Sequence, residues 1–164
     1  MSFPMRQKLF VPGLALAILI PLVIGYVAYR QGQENSAAAE WVNHTYRVRA
    51  ELQTVLIQLV DASSSTRGFI ITGQESFLRP LDLATAKVPA SLASLKRLTA
   101  DNAGQQRRVG ELESLTLRRF EYSQRLIALA RTQAPGVAEA VVSTGEGSKL
   151  MDDIRVLIAE MDSA

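Results

Sequence analysis

The feature that most constrains this chain is the run from Leu9 to Tyr29, which holds no charged residue and is dense in Leu, Ile, Val and Ala. Crossing the hydrocarbon core of a bilayer takes roughly 20 apolar residues in a helix, and the run fits that length. Pro12, Gly13, Pro21 and Gly25 would weaken a soluble helix but are tolerated in membrane helices, and Pro21 is expected to bend the span. A cleaved signal peptide has a shorter core of roughly 7–15 residues with a small-residue site close behind. Here the nearest Ala-x-Ala, Ala37 to Ala39, lies well past the run. A buried core helix would need a second element hydrophobic all round to cover it, and the sequence offers none. The expectation is an uncleaved anchor over 9–29, with a juxtamembrane segment over 30–40. Arg6 and Lys8 precede the span, and Arg30, soon followed by Glu34, comes after it. The positive-inside rule then puts residues 1–8 in the cytoplasm and the remainder outside the membrane.

The balance of 18 basic and 16 acidic residues and a pI near 9.1 suggest a basic protein. The surplus belongs to the anchor: from Glu40 onward there are 15 Lys/Arg and 15 Asp/Glu. Charges of the two signs alternate and aromatics are few, so the basic stripe of a nucleic-acid binder is missing. The absence of cysteine excludes disulfides, zinc–thiolate sites and thiol nucleophiles. His44 is the only histidine, no carboxylate cluster has ligand spacing, and neither a metal nor a cofactor is expected.

Beyond the anchor four helical segments can be read. Val48, Leu52, Val55, Leu59, Ala62, Thr66 and Phe69 recur at steps of four and three, a coiled-coil-like seam that Leu56 and Val60 widen. No proline or glycine interrupts residues 33–67, so this helix is expected to run on from the span and to end near Gly73, which suits a left-handed cap. The second segment carries Phe77, Leu81, Ala84, Val88, Leu92, Leu95 and Leu98; Pro80 suits its first turns, and Pro89 should kink or break it. Asn102 and Gln105 form a capping box for the third, whose apolar face is Val109, Leu112, Leu115, Tyr122, Leu126 and Leu129. The fourth carries Val137, Val141, Met151, Ile154, Leu157, Ile158 and Met161, with a weak stretch from Gly145 to Gly147. No run alternates as a strand would. The fold class is all-α: a membrane helix followed by a four-helix bundle over 41–164. The narrow seam also suits pairing of two copies as a homodimer.

Enzyme signatures are missing: no phosphate loop, no dinucleotide fingerprint and no nucleophile elbow occurs. Ser63, Ser64 and Ser65 lack a nearby imidazole, since His44 is about five turns away on the same predicted helix; these serines are expected to face solvent or soften packing. His44 itself reads as a partly exposed helix residue, with pH sensing as the sharper alternative. Gly68 inside a long helix costs about 1 kcal/mol relative to alanine and needs a packing or hinge reason. Two readings fit Arg67-Gly68: a close helix contact with Arg67 hydrogen-bonding a neighbouring helix end, or a ligand site. Ligand-binding candidates are Arg67, Thr72 and His44.

Three segments taken together resemble a known family. Asp61-Ala62-Ser63-Ser64-Ser65-Thr66-Arg67-Gly68-Phe69-Ile70-Ile71-Thr72-Gly73 is similar to the D-A-E-T-G-Q-R-G-[YF]-L-L-T-G core of the CHASE type 3 domains, extracytoplasmic sensory domains of bacterial histidine kinases, diguanylate cyclases and chemoreceptors. Asp101, Asn102, Gln105 and Gln106 fall in a match to L-T-x-D-N-P-x-Q-Q, and Met151, Asp152 and Arg155 in a match to G-x-G-K-x-L-M-D-x-I-R. Ser63 departs from the motif, which has an acidic residue there; if that residue pairs with the counterpart of Arg67, the pair is missing in this chain. The resemblance implies a long bundle held between two membrane helices and working as a dimer. No second apolar span and no output domain occurs within these 164 residues.

The expected function is therefore that of an input module with no catalytic site, the sensing part of a receptor such as a two-component histidine kinase. It would relay a stimulus by bundle repacking. The alternative is a membrane-tethered bundle that dimerises or docks to a partner receptor.

Overall fold

The computed structural model describes the backbone of residues 5–132 and 136–163, and the side chains of 19–26, 29–30, 42–132, 136–138 and 140–163. Among these residues every regular element is helical: α1 (Met5–Thr72), a short 3-10 turn (Glu75–Leu78), α2 (Arg79–Leu98), α3 (Ala103–Thr132), α4 (Val137–Ser143) and α5 (Glu146–Asp162). The all-α expectation holds. The chain divides into two compact units, Met1–His44 and Thr45–Ala164.

In the first unit the described side chains of the apolar run are exposed, Leu19, Leu22 and Ile24 by 62%, 67% and 62%. Residues 9–18, 27 and 28 of the run lie outside those whose side chains are described. Among the described residues no helix is long and apolar enough to cross a membrane.

The second unit is built on the seam of α1. Leu52, Val55, Leu59, Ala62, Thr66 and Phe69 are buried, and Val48 packs against them half-buried. They share one core with Leu81, Ala84, Val88, Leu92 and Leu95 of α2, Val109 and Leu112 of α3, and Met151, Ile154, Leu157 and Met161 of α5. The seam that suggested pairing of two copies is thus filled within a single chain. Phe77, expected on the apolar face of the second segment, is instead 41% exposed in the 3-10 turn.

The helix ends follow from local chemistry. Gly73 takes φ +68°, and its N–H donates to the Phe69 carbonyl at 2.7 Å, closing α1. Thr72 Oγ1 donates to the Gly68 carbonyl at 2.7 Å and accepts from Gln74 N–H at 3.2 Å. Ser65 Oγ donates to the Phe77 carbonyl and ties the turn back to α1. Pro80 sits in the first turn of α2, Asp82 near its positive end and Lys96 and Arg97 in its last turn, as the helix dipole favours.

Three local expectations change. Pro89 does not break α2, which continues to Leu98. Pro89 is exposed, so water can reach the backbone that loses its internal hydrogen bond. The capping box at Asn102 is half made: Asn102 Oδ1 accepts from Gln105 N–H at 3.0 Å, but the Gln105 amide turns inward and donates to the Met161 carbonyl at 3.0 Å. The fourth segment is two helices, because Gly145 at φ +79° ends α4 and begins α5.

Candidate functional site

The largest departure from an apolar core lies midway along α3. From Leu112 the buried positions run Thr116, Arg119, Ser123 and Leu126, at steps of four and three. Arg119 therefore occupies a core position and is only 6% exposed. Its Nη1 donates to Ser123 Oγ and its Nη2 to Ser63 Oγ, both at 2.7 Å. The Ser63 hydroxyl in turn donates to the Leu59 carbonyl at 2.7 Å. Nε of Arg119 is buried with no partner among the described residues. Tyr122 offers a ring face, its centroid 5.4 Å from the guanidinium carbon of Arg119 and 5.3 Å from that of Arg125.

A cavity of about 340 Å³ opens beside this group. Val60, Ser63, Thr66 and Arg67 form its α1 wall, and Arg119, Tyr122 and Leu126 its α3 wall. Val142 of α4 and Gly147, Ser148, Met151 and Arg155 of α5 close the remaining side. The lining contains three guanidinium groups and no carboxylate among the described residues. Arg155 donates to Asp152 one turn away at 2.8 Å. Burial lowers the Arg119 pKa below its ordinary value, Tyr122 raises it, and the like charge of Arg67 lowers it. An arginine so lowered still carries its charge at neutral pH.

Two glycines shape the walls. A methyl group at Gly147 would lie 2.5 Å from Tyr122 Cε1, so the ring packs directly on the α5 backbone. At Gly68 a methyl group would meet Phe77 Cδ1 at 2.5 Å, which supplies the packing reason the sequence demanded for a glycine there.

Of the ligand-binding candidates read from sequence, Arg67 lines the cavity, whereas Thr72 and His44 do not belong to its lining. Among the described residues Arg67 bonds no neighbouring helix end; its Nε reaches the Ser63 carbonyl of its own helix at 3.4 Å. Asp61, Asp101 and Asp152 are exposed and Met151 is a core residue. Gln106 holds the end of α2, donating to the Lys96 carbonyl at 2.7 Å and to Thr99 Oγ1 at 2.8 Å. Ser63 and Ser65 are buried, and only Ser64 of the three faces solvent. Arg119 escaped sequence reading, although an arginine in register with Leu112 and Leu126 was the available signal. Ser63 touches Arg119, so an acidic residue at position 63 would stand beside Arg119 rather than pair with Arg67 alone.

Among the described residues no group of His, Cys, Asp and Glu could hold a metal ion. No curated protein and no solved structure matches the chain. The family model of the CHASE3 domain matches residues 38–164, which covers the whole second unit and the three motifs read above. The chain thus belongs to the CHASE3 domain family, the extracytoplasmic sensory domains of signalling receptors.

Proposed function

We propose that this chain is the input module of a bacterial transmembrane receptor, the sensing part of a two-component sensor histidine kinase. The observation that carries the reading is the order of parts: the family match over 38–164 follows directly on the apolar run 9–29. The side chains Leu19, Ile20, Leu22, Val23 and Ile24 are each at least half exposed. Exposed apolar surface of this extent calls for an apolar surrounding, which a bilayer supplies. The first span then anchors the module with residues 1–8 in the cytoplasm, and the second unit stands outside the inner membrane as a four-helix bundle of α1, α2, α3 and the α4–α5 pair.

In this reading the module performs no chemistry. Its work is to populate one of two packings of the bundle according to a stimulus, which requires a stimulus with different affinities for the two. Two copies act together as a homodimer, and neither nucleic acid nor a cofactor takes part.

Topology is the direct test. Alkaline phosphatase fused after Ala164 is expected to be active, because it folds only outside the cytoplasm. A fusion inactive as phosphatase but fluorescent with a cytoplasm-restricted reporter would overturn the arrangement.

A further inference from the structure

Arg119 is costly where it stands. A buried charge is stable only when paired and hydrogen-bonded, yet this one meets two hydroxyls, a ring face and no carboxylate among the described residues. Its Nε is left over. Arg67 and Arg155 line the same cavity, so its walls gather like charge. Packing does not demand this arrangement, since a methionine fills a similar volume without the penalty. The guanidinium fork matches the oxygens of carboxylate and phosphate groups, forming two parallel hydrogen bonds. A cavity of about 340 Å³ with apolar wall residues and a few converging polar groups is of the size that takes a small molecule.

We propose that the cavity between α1, α3, α4 and α5 binds a small organic anion, its carboxylate or phosphate group held by Arg119, Arg67 and Arg155 and its body resting on Val60, Leu126 and Met151. As the stimulus of the receptor, this anion rests on the function proposed above. An anion held by Arg119, Arg67 and Arg155 favours the packing of the bundle that brings these three side chains closest, and that is the differential affinity a two-state module requires.

Binding is tested on the full chain in an uncharged detergent, by calorimetry and thermal melting with succinate and with inorganic phosphate at millimolar concentration. Succinamide and 1,4-diaminobutane serve as the neutral and cationic controls. One or both anions are expected to bind and to raise Tm, and the controls to do neither. A response to succinate alone assigns a carboxylate, and a response to phosphate alone assigns a phosphate.

Ser63→Glu places a carboxylate beside Arg119. It is expected to keep or raise the Tm of the empty protein and to weaken anion binding by about tenfold or more. Arg67→Gln, at an exposed side chain, is expected to weaken binding without altering the Tm of the empty protein. Absence of any anion-specific shift, or a shift that survives in both variants, overturns the site. That outcome leaves the receptor reading in place, because the phosphatase fusion judges it separately.

Discussion

Tyr122 is held from two sides, by the cation of Arg119 over its face and by the bare backbone of Gly147 against its edge. The ring is 5% exposed. Gly147→Ala should therefore overpack the site and lower stability by about 1–3 kcal/mol, read as a drop in the chemical-denaturation midpoint. Gly68→Ala makes a contact just as close, but with Phe77, which is 41% exposed and can swing aside. There the helix gain of about 1 kcal/mol offsets much of the clash, so the loss should be clearly the smaller of the two. Equal losses would show that Tyr122 is not pinned. The burial of Arg119 also has a pH signature. Its folded pKa is lowered, so its cost is present at every pH where the folded guanidinium is charged and is relieved only as pH rises through that value. Arg119 should thus contribute no slope to stability across the neutral range, and Arg119→Met should melt no lower than the parent in the absence of anion. Side-chain apolarity was a poor guide to this part of the molecule. A search for leucines along α3 passes over Thr116, Arg119 and Ser123, although their spacing is that of the core. The seam of α1, where the residues are aliphatic, was legible almost residue by residue.

At the scale of elements, junction chemistry decides more than propensity does. Asn102 caps α3 through Gln105 N–H, and Asn102→Ala should cost about 1 kcal/mol, measurable in urea with an unchanged m value. Gln105 is 6% exposed and links the start of α3 to the end of α5, a long-range role that a local capping motif does not reveal. The same limit explains the other elements that the sequence left blurred. Gly145 and Gly147 mark a weak stretch, but only the positive φ of Gly145 distinguishes a break from a soft turn. Pro89 reads as a breaker because local rules count the lost hydrogen bond, whereas the buried face of α2, Leu81 to Leu95, holds the helix together across it. At the tip, Glu75 accepts two bonds from Arg131, at 3.0 and 2.7 Å, and the arginine lies over Phe69. The hydrogen bond to Glu75 raises the Arg131 pKa; desolvation opposes that rise, and the negative charges of Glu75 and Asp82 add to it. This cross-link joins α3 to the turn after α1, and neither partner belongs to a motif.

For the whole molecule, the proposed pairing of two copies has to use a surface other than the first seam of α1, which is spent inside the chain. Ile57, Val60 and Ile71 remain exposed on the same helix. The full chain in detergent is expected to have the mass of a dimer by light scattering, and Ile57→Lys to shift it toward monomer. A parent that is monomeric at every concentration would end the dimer reading.

Arg49 grips Asp162 through both carboxylate oxygens, at 2.5 and 3.0 Å, and Gln105 holds the neighbouring Met161 carbonyl. The two ends of the second unit therefore lie side by side at one level. Under the receptor function proposed above, a motion that carries both ends together leaves their offset unchanged, and only a change in that offset serves as a signal.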